Sequence, residues 1–180
     1  MKTLFLIRHA KSSWDDPKLS DQQRPLTRRG RRDARQLGKR LAKRHRKPDM
    51  ILSSPALRAL KTAQLIAGKL GCKRRHIVVD ARLYACEVSD LLRVIHRLDD
   101  RLKRVMLFGH NPELTGLAGR FSDEIQHLPT CAVARFRFDV NSWTRVGNAT
   151  LVTAALDFAQ RPRASDSNSS NSADSNRKTA

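Results

Sequence analysis

The sequence predicts an α/β fold, a three-layer sandwich in which helices cover both faces of a mostly parallel sheet. Three observations support this prediction. Short apolar runs of strand length recur along the chain. Segments with apolar residues at helical spacing separate these runs. Several runs end abruptly at polar or basic residues, as strands do at the carboxyl edge of a parallel sheet, where ligands usually bind.

Four short apolar runs are predicted to form the parallel strands. They lie at residues 4–7, 50–52, 76–79 and 105–108. A segment with helical periodicity separates each run from the next, and strand–helix–strand units of this kind build parallel sheets. The β-like segments at 131–140 and 151–156 suit late strands, and we expect them to form a hairpin at the sheet edge.

The first two helices are predicted from apolar periodicity together with residues that start and stop helices. The first follows Thr27, a suitable N-cap, and ends before Pro48. The second begins after Pro55 and is closed by Gly68 or Gly71.

The third and fourth helices are predicted in the second half of the chain. Ser89 is expected to cap the third, whose apolar stripe consists of Leu91, Leu92, Ile95 and Leu98. A short fourth helix covers about residues 113–118.

Length and composition predict one domain followed by a tail. The chain has 180 residues, enough for a single domain with its own core. We place this domain at residues 1–160. Residues 161–180 are rich in Ser, Asn, Asp and Arg and contain no large apolar side chain, so this segment is predicted to be disordered.

The chain carries a large excess of positive charge. The formal net charge is +19, and much of it lies between Arg24 and Lys47. One interpretation is a basic, solvated helix face. The other is attraction for an anionic partner, such as an acidic phosphoprotein, RNA or a membrane surface. Charge alone leaves both interpretations open.

The remaining composition predicts a cytoplasmic protein without a membrane span. The N-terminal apolar run is too short for a signal peptide. The three cysteines are odd in number and lack CxxC spacing, so we interpret them as reduced thiols. No metal site is predicted either, because four histidines lack the spacing of ligands: His45, His76, His96 and His127.

Cationic and imidazole side chains follow three of the predicted strands. Arg8 and His9 come directly after the first, Arg58 lies one turn into the helix after the second, and His110 follows the fourth. Parallel strands present their carboxyl ends on one side, so we expect these four residues to share a pocket. Guanidinium groups bind phosphate oxygens, and a neutral imidazole is a nucleophile near pH 7. The set therefore suits phosphoryl transfer.

These residues stand in motifs that resemble the histidine phosphatase superfamily, in its phosphoglycerate-mutase-like branch 1. The motifs are Leu-Ile-Arg-His-Ala at 6–10, Leu-Ser-Ser-Pro-Ala-Leu-Arg-Ala at 52–59, Lys-Thr-Ala at 61–63 and Gly-His-Asn-Pro at 109–112. The run Arg-His-Ala-Lys-Ser-Ser-Trp at 8–14 and the short length are most similar to SixA-type phosphohistidine phosphatases. The resemblance covers roughly residues 1–156 and implies a phosphoglycerate-mutase-like fold.

The resemblance implies a role for each of the four residues. His9 is the nucleophile that becomes transiently phosphorylated, while Arg8, Arg58 and His110 hold the phosphoryl oxygens. An in-line transfer needs a nucleophile on one face and cations around the phosphoryl group, which agrees with these roles. No cofactor or metal is implied, because guanidinium and imidazolium groups supply the positive charge.

The sequence departs from the wider superfamily in places. Ala10 stands where many members have Gly, and Asp15 lies near the position of a phosphate-binding Asn. An anionic Asp15 would repel phosphate, so it has no predicted binding role. Glu87 is the candidate general acid, and capping of the next helix is its alternative role. The sequence is similar to SixA-type proteins in lacking a clear acid.

The leading hypothesis is a phosphatase that removes phosphate from phosphohistidine in a protein and releases inorganic phosphate. A P–N bond breaks more readily than a bond to an alkoxide, so a missing acid favours this substrate. One alternative is a broad phosphomonoesterase that acts on small phosphate esters with Glu87 as acid. Another is an RNA- or polyanion-binding module on the same fold. We expect a monomer that does not associate with membranes.

Overall fold

The computed structural model describes residues 1–44 and 47–158, in which strands and helices alternate until the last two strands, which follow each other. The strands are β1 (Lys2–Arg8), β2 (Met50–Ser53), β3 (Ile77–Val79), β4 (Arg104–Gly109), β5 (Ala132–Phe138) and β6 (Leu151–Phe158). The helices are α1 (Arg28–Arg44), α2 (Leu57–Lys69), α3 (Val88–His96) and α4 (Glu113–Phe121).

The six strands form one mixed sheet in the order β3-β2-β4-β1-β5-β6. β1 pairs with β4, β4 with β2 and β2 with β3, all in parallel. β5 runs antiparallel to β1, and β6 runs antiparallel to β5. The prediction of a mostly parallel sheet with a hairpin at its edge is therefore confirmed, and β1 lies inside the sheet between β4 and β5.

Side chains that alternate along β1 separate two helical layers. Phe5 and Ile7 belong to a buried cluster that includes residues of α1 and α2. Leu4 and Leu6 belong to a second cluster that includes residues of α3 and α4. Successive side chains of a strand point to opposite faces of the sheet, so two apolar layers follow from four consecutive apolar residues. This arrangement confirms the three-layer sandwich.

The predicted helix boundaries are right at two positions and wrong at one. The Thr27 hydroxyl accepts the Gly30 N–H at 3.0 Å and caps α1, and Gly71 adopts φ +68° just after α2. The sequence predicts Ser89 as the cap of α3, but the N-cap lies two residues earlier, at Glu87, and the helix begins at Val88. The Asp90 side chain accepts the Glu87 N–H at 2.9 Å, which fixes the earlier start.

Two predictions lie wholly or partly outside the described residues: the end of the first helix at Pro48, since residues 45–46 intervene, and the tail at 161–180. Within the described ranges, none of the helices is long and apolar enough to cross a membrane.

Close packing at Gly30 fixes the loop that follows β1. A Cβ atom at this glycine would lie 2.1 Å from the Lys11 carbonyl oxygen. The same carbonyl accepts the Thr27 N–H at 2.9 Å. The start of α1 is therefore held against the backbone just beyond the first strand.

Candidate active site

His9 follows the central strand, but its backbone still belongs to the sheet. Its N–H donates to the Gly109 carbonyl at 3.1 Å, and its own carbonyl accepts the Cys131 N–H at 3.1 Å. The next residue, Ala10, is fully buried and donates its N–H to the Thr62 hydroxyl at 3.0 Å. The main chain that carries His9 is therefore anchored on both sides.

The His9 ring is held in a form suited to attack through Nε2. Its Nδ1 lies 2.8 Å from the Ala10 carbonyl oxygen, which can only accept, so Nδ1 carries the proton. The lone pair then lies on Nε2. Burial lowers the pKa of His9 to about 4, and the charges of Arg58, Arg8 and Arg24 act in the same direction, against the Ala10 hydrogen bond. The imidazole is therefore neutral at pH 7.

His110 lies beside His9, with 5.2 Å between the ring centroids. Its Nε2 is 2.8 Å from the hydroxyl oxygen of Ser54, a fully buried residue after β2. Burial, followed by the charges of Arg58 and of protonated His9, lowers the pKa of His110 to about 3. The Ser54 hydroxyl can donate to Nε2, which leaves Nδ1 as the protonated, donating nitrogen.

Arg58 lies in the first turn of α2 and is 6% exposed. Its Nη1 donates to the backbone carbonyl of Asp21 at 2.5 Å, and its Nη2 donates to the Asp21 carboxylate at 2.8 Å. Arg8, at the end of β1, donates from Nη1 to the Leu128 carbonyl at 3.1 Å. Neighbouring chain segments thus orient both guanidinium groups.

Three buried nitrogen atoms of this group have no hydrogen-bond partner among the described residues. They are Arg8 Nε, Arg58 Nε and His110 Nδ1. Two are guanidinium donors, and the third can donate in the tautomer that Ser54 favours. A buried donor without a partner is costly, and an oxyanion bound here would satisfy such groups. The arrangement suits a phosphate group.

Asp21 is a component of the site that sequence reasoning missed. It lies in a 3-10 turn at Asp21–Gln23, and its carboxylate accepts hydrogen bonds from Arg58, Arg24 and the Tyr84 hydroxyl, at 2.8–2.9 Å. Burial raises the pKa of this carboxyl, but the hydrogen bonds from Arg24, Tyr84 and Arg58 outweigh it and hold the pKa well below its usual range. Asp21 therefore stays ionised at neutral pH and orients cations.

Tyr84 and Arg24 were also missed, and both extend the site outwards. The Tyr84 ring packs edge-on to His110, with 5.7 Å between centroids. The Arg24 guanidinium carbon lies 3.2 Å from the centroid of the Trp14 ring, a cation–π stack. Trp14 is 73% exposed and lies at the rim of the site.

A cleft of about 570 Å³ opens beside His9. Cationic and polar side chains dominate its lining, which includes Arg8, Lys11, Ser12, Arg24, Arg29 and Asp33. Trp14 and Phe158 contribute aromatic rings. The cleft leads from the imidazole past the start of α1, so a substrate larger than a phosphate group has room on this side.

The model of the histidine phosphatase superfamily (branch 1) matches residues 4–108. The chain belongs to this superfamily. The matched region includes Arg8, His9 and Arg58 and ends two residues before His110. Membership identifies the protein as a phosphatase and agrees with the resemblance found in the sequence motifs.

Relatives place this histidine phosphatase near the SixA proteins. An uncharacterized chloroplastic protein of Arabidopsis thaliana is 30% identical over 150 residues, which cover 79% of this chain and 69% of the relative. The SixA structure from Agrobacterium tumefaciens, assigned as a phosphohistidine phosphatase, is 28% identical with a TM-score of 0.70. That match covers 76% of this chain and 92% of the SixA chain.

A SixA structure with bound tungstate supports the fold. It is 22% identical, with a TM-score of 0.69, and the match covers 87% of this chain and 94% of that one. The histidine phosphatase fold expected from the motifs is therefore confirmed. The roles of Arg8, His9, Arg58 and His110 stay predictions.

Two other carboxylates considered in the sequence analysis, those of Asp15 and Glu87, lie on the surface. Asp15 is exposed, and its N–H donates to the Ser13 hydroxyl at 2.9 Å. Glu87 is exposed at the N-cap of α3, where its carboxylate lies 3.5 Å from the Ser89 hydroxyl. The capping role given as the alternative for Glu87 matches this position, and its role as general acid stays a prediction.

Proposed function

We propose that this histidine phosphatase removes the phosphoryl group from phosphohistidine in a protein, through a phosphorylated His9, and releases inorganic phosphate. One observation carries the proposal. A neutral imidazole, fixed by the Ala10 carbonyl with Nε2 available, lies beside buried nitrogens of Arg8, Arg58 and His110 that have no partner among the described residues.

The reaction has two steps. In the first, the lone pair on His9 Nε2 attacks phosphorus, and the bond from phosphorus to the substrate nitrogen breaks. In the second, water attacks phosphorus, the bond to Nε2 breaks, and the water proton passes to solvent. Nδ1 keeps its proton throughout. Its hydrogen bond to the Ala10 carbonyl stabilises the positive charge of phosphorylated His9. Arg8, Arg58 and His110 stabilise the charge on the phosphoryl oxygens.

The carboxylates around the site favour a phosphohistidine substrate. Asp21 contacts Arg58 directly, but its lowered pKa keeps it ionised, so it has no proton to give to a leaving group. Glu87 is exposed at a helix cap. A substrate imidazole protonated on its other nitrogen leaves as a neutral molecule and needs no acid, whereas an alkoxide must be protonated. The similarity to an assigned phosphohistidine phosphatase supports the same substrate.

Trapping the phosphorylated protein tests the role of His9. We expect ³²P from a phosphohistidine peptide to appear on the wild-type protein as an acid-labile, alkali-stable label. His9→Gln should lose both the label and turnover. His76→Gln removes an exposed imidazole outside this group and should retain both. Normal turnover by His9→Gln would contradict the proposal.

Comparison of substrates tests the leaving group. We expect kcat/KM for a phosphohistidine peptide to exceed that for simple alkyl phosphates, and Glu87→Gln to change neither value by more than about twofold. Glu124→Gln serves as control because Glu124 is also exposed. If Glu87→Gln abolishes only ester hydrolysis and esters are the better substrates, the protein is instead a broad phosphomonoesterase with Glu87 as acid. Metal independence, a monomeric state and a cytoplasmic location remain predictions.

A further inference from the structure

We propose that one face of α1 is a docking surface for acidic residues that flank the phosphohistidine of a protein substrate. This inference rests on the proposed function, because it concerns what the substrate carries beside its phosphoryl group. The surface, called the cationic strip below, consists of Arg28, Arg32, Arg35, Lys39 and Lys43.

Helical spacing places these side chains in one row. They follow each other at intervals of three or four residues, so they share one side of the helix. All five are exposed, whereas Ala34, Leu37 and Leu41 on the opposite side are buried. The 17 residues of α1 make the row about 25 Å long at 1.5 Å per residue.

The charges of the strip have almost no partners in the part of the chain that the structure describes. Arg28, Arg35, Lys39 and Lys43 make no ion pair or side-chain hydrogen bond there, and Arg32 has a single contact of 3.9 Å, to Asp33. Like charges three or four residues apart destabilise a helix, and cations in the first turn oppose its dipole. An external anionic partner would relieve both effects.

The excess charge is concentrated on this layer of the sandwich. α1 contains nine Lys and Arg residues and one acidic residue. On the other face of the sheet, α3 and α4 each contain one Arg and one acidic residue. Basic residues therefore outnumber acidic ones far more on α1 than on α3 or α4, as expected for a surface that attracts an acidic partner.

The strip begins at the candidate active site. Arg29, next to Arg28 in the first turn of α1, lines the cleft together with Arg8, His9 and Lys11. A peptide whose phosphohistidine lies at His9 can therefore leave the cleft along α1. An extended chain covers about 3.3 Å per residue, so about eight residues span the strip. Acidic side chains at these positions would face the cations.

An acidic protein segment fits the strip better than a nucleic acid does. α1 contains no aromatic side chain on which a base could stack. The cleft at the start of α1 is also lined by Arg8 and His9, which the proposed function assigns to a phosphoryl group carried on a protein.

A peptide comparison tests the strip. One phosphohistidine peptide carries Asp or Glu at the eight positions on either side, and its twin carries Ser and Gly there. The strip variant combines Arg35→Gln, Lys39→Gln and Lys43→Gln. The control variant combines Lys73→Gln, Arg74→Gln and Arg75→Gln, which removes the same charge from exposed positions before β3.

We expect the wild type and the control variant to favour the acidic peptide about tenfold in kcat/KM at low salt. The strip variant should lose this preference through a higher KM, with kcat and activity on free phosphohistidine unchanged. Equal preference in the strip and control variants would overturn the docking proposal alone. Lower activity of the strip variant on free phosphohistidine would also overturn it, because the effect would then lie in the site or the fold.

Two further results separate the alternatives. If the strip variant loses affinity for a single-stranded RNA oligonucleotide, measured by fluorescence anisotropy, while its peptide preference is unchanged, the strip binds nucleic acid and the docking proposal fails. If the wild type turns over neither peptide nor free phosphohistidine, the proposed function fails. In that case the affinities of the strip and control variants for the unphosphorylated acidic peptide still decide the docking proposal.

Discussion

The titration of His9 gives a direct test of the neutral nucleophile. Burial and three nearby guanidinium groups hold the pKa of this ring at about 4. When the pH is lowered from 7.5 to 5.5, a ring with this pKa remains about 97% neutral, whereas a ring with the ordinary value near 6.5 becomes only about 9% neutral. The two cases therefore differ about tenfold in the concentration of the attacking form.

Nuclear magnetic resonance of the ring nitrogens measures this difference in the substrate-free protein. The His9 signals are assigned from their loss in His9→Gln, and the same protein unfolded in urea supplies the reference titration. We expect the folded His9 ring to show no protonation between pH 7.5 and 5.5. A midpoint within half a pH unit of 6.5 would refute the assignment of a desolvated, cation-flanked imidazole.

The lowered pKa of His9 also makes the stability of the protein depend on pH. Between pH 6.5 and about 4 the unfolded chain binds a proton at this ring and the folded protein does not, so stability falls as the pH falls. From pH 7.5 to 5.5 this effect amounts to about 1 kcal/mol for one histidine. Urea unfolding measures this effect. Between pH 7.5 and 5.5 the free energy of unfolding should fall less in His9→Gln than in the wild type, and the difference should equal the contribution of His9.

Two further predictions concern the residues that support the site. Asp21→Asn removes the charge that orients Arg58 and should lower kcat/KM about 10- to 100-fold. It should also lower the urea midpoint, because the lowered pKa of Asp21 means that the ionised carboxylate stabilises the folded protein. Asp15→Asn on the same loop should change neither quantity, and equal activities of the two variants would show that the Asp21 contact is dispensable. Gly30→Ala should reduce the free energy of unfolding by about 1–3 kcal/mol, because its methyl group would collide with the Lys11 carbonyl. The matched change Gly147→Ala, where no atom lies within 4 Å of a Cβ position, should stay within about 0.5 kcal/mol, and a similar loss at both glycines would contradict the packing argument.

The sheet could be predicted from the sequence, and so could the common location of the four residues Arg8, His9, Arg58 and His110. Both follow from short-range patterns. Apolar runs identify strands, and parallel strands carry the residues at their carboxyl ends to one edge. Arg8 and His110 are 102 positions apart in the sequence, yet Arg8 ends β1, His110 follows β4, and these two strands are neighbours in the sheet. The sequence motifs then indicated phosphoryl transfer at these positions, which the apolar periodicity alone could not indicate.

The outer part of the site could not be predicted in this way. Asp21 and Arg58 are 37 positions apart, and no periodic pattern indicates that a polar loop folds back over a helix start. Tyr84 likewise reaches Asp21 across 63 positions. Contacts between loops depend on side-chain geometry after the core has formed, so their sequence signal is weak. The earlier start of α3 has a similar cause, because the Asp90 side chain extends the helix to Val88.

The backbone bonds of His9 to both neighbouring strands have a consequence for how this protein can change over evolutionary time. The imidazole follows a strand that pairs with a neighbour on each side, whereas Trp14 and Asp21 lie on the segment between β1 and α1. The part of that segment around Trp14 can vary without moving the reacting atom, provided that Asp21 keeps its hydrogen bonds with Arg58. New recognition can thus arise by replacement of this loop, and a chimaera that carries a relative's residues 14–19 but keeps Asp21 and Arg24 should change its choice of substrate while its phosphorylated intermediate stays the same.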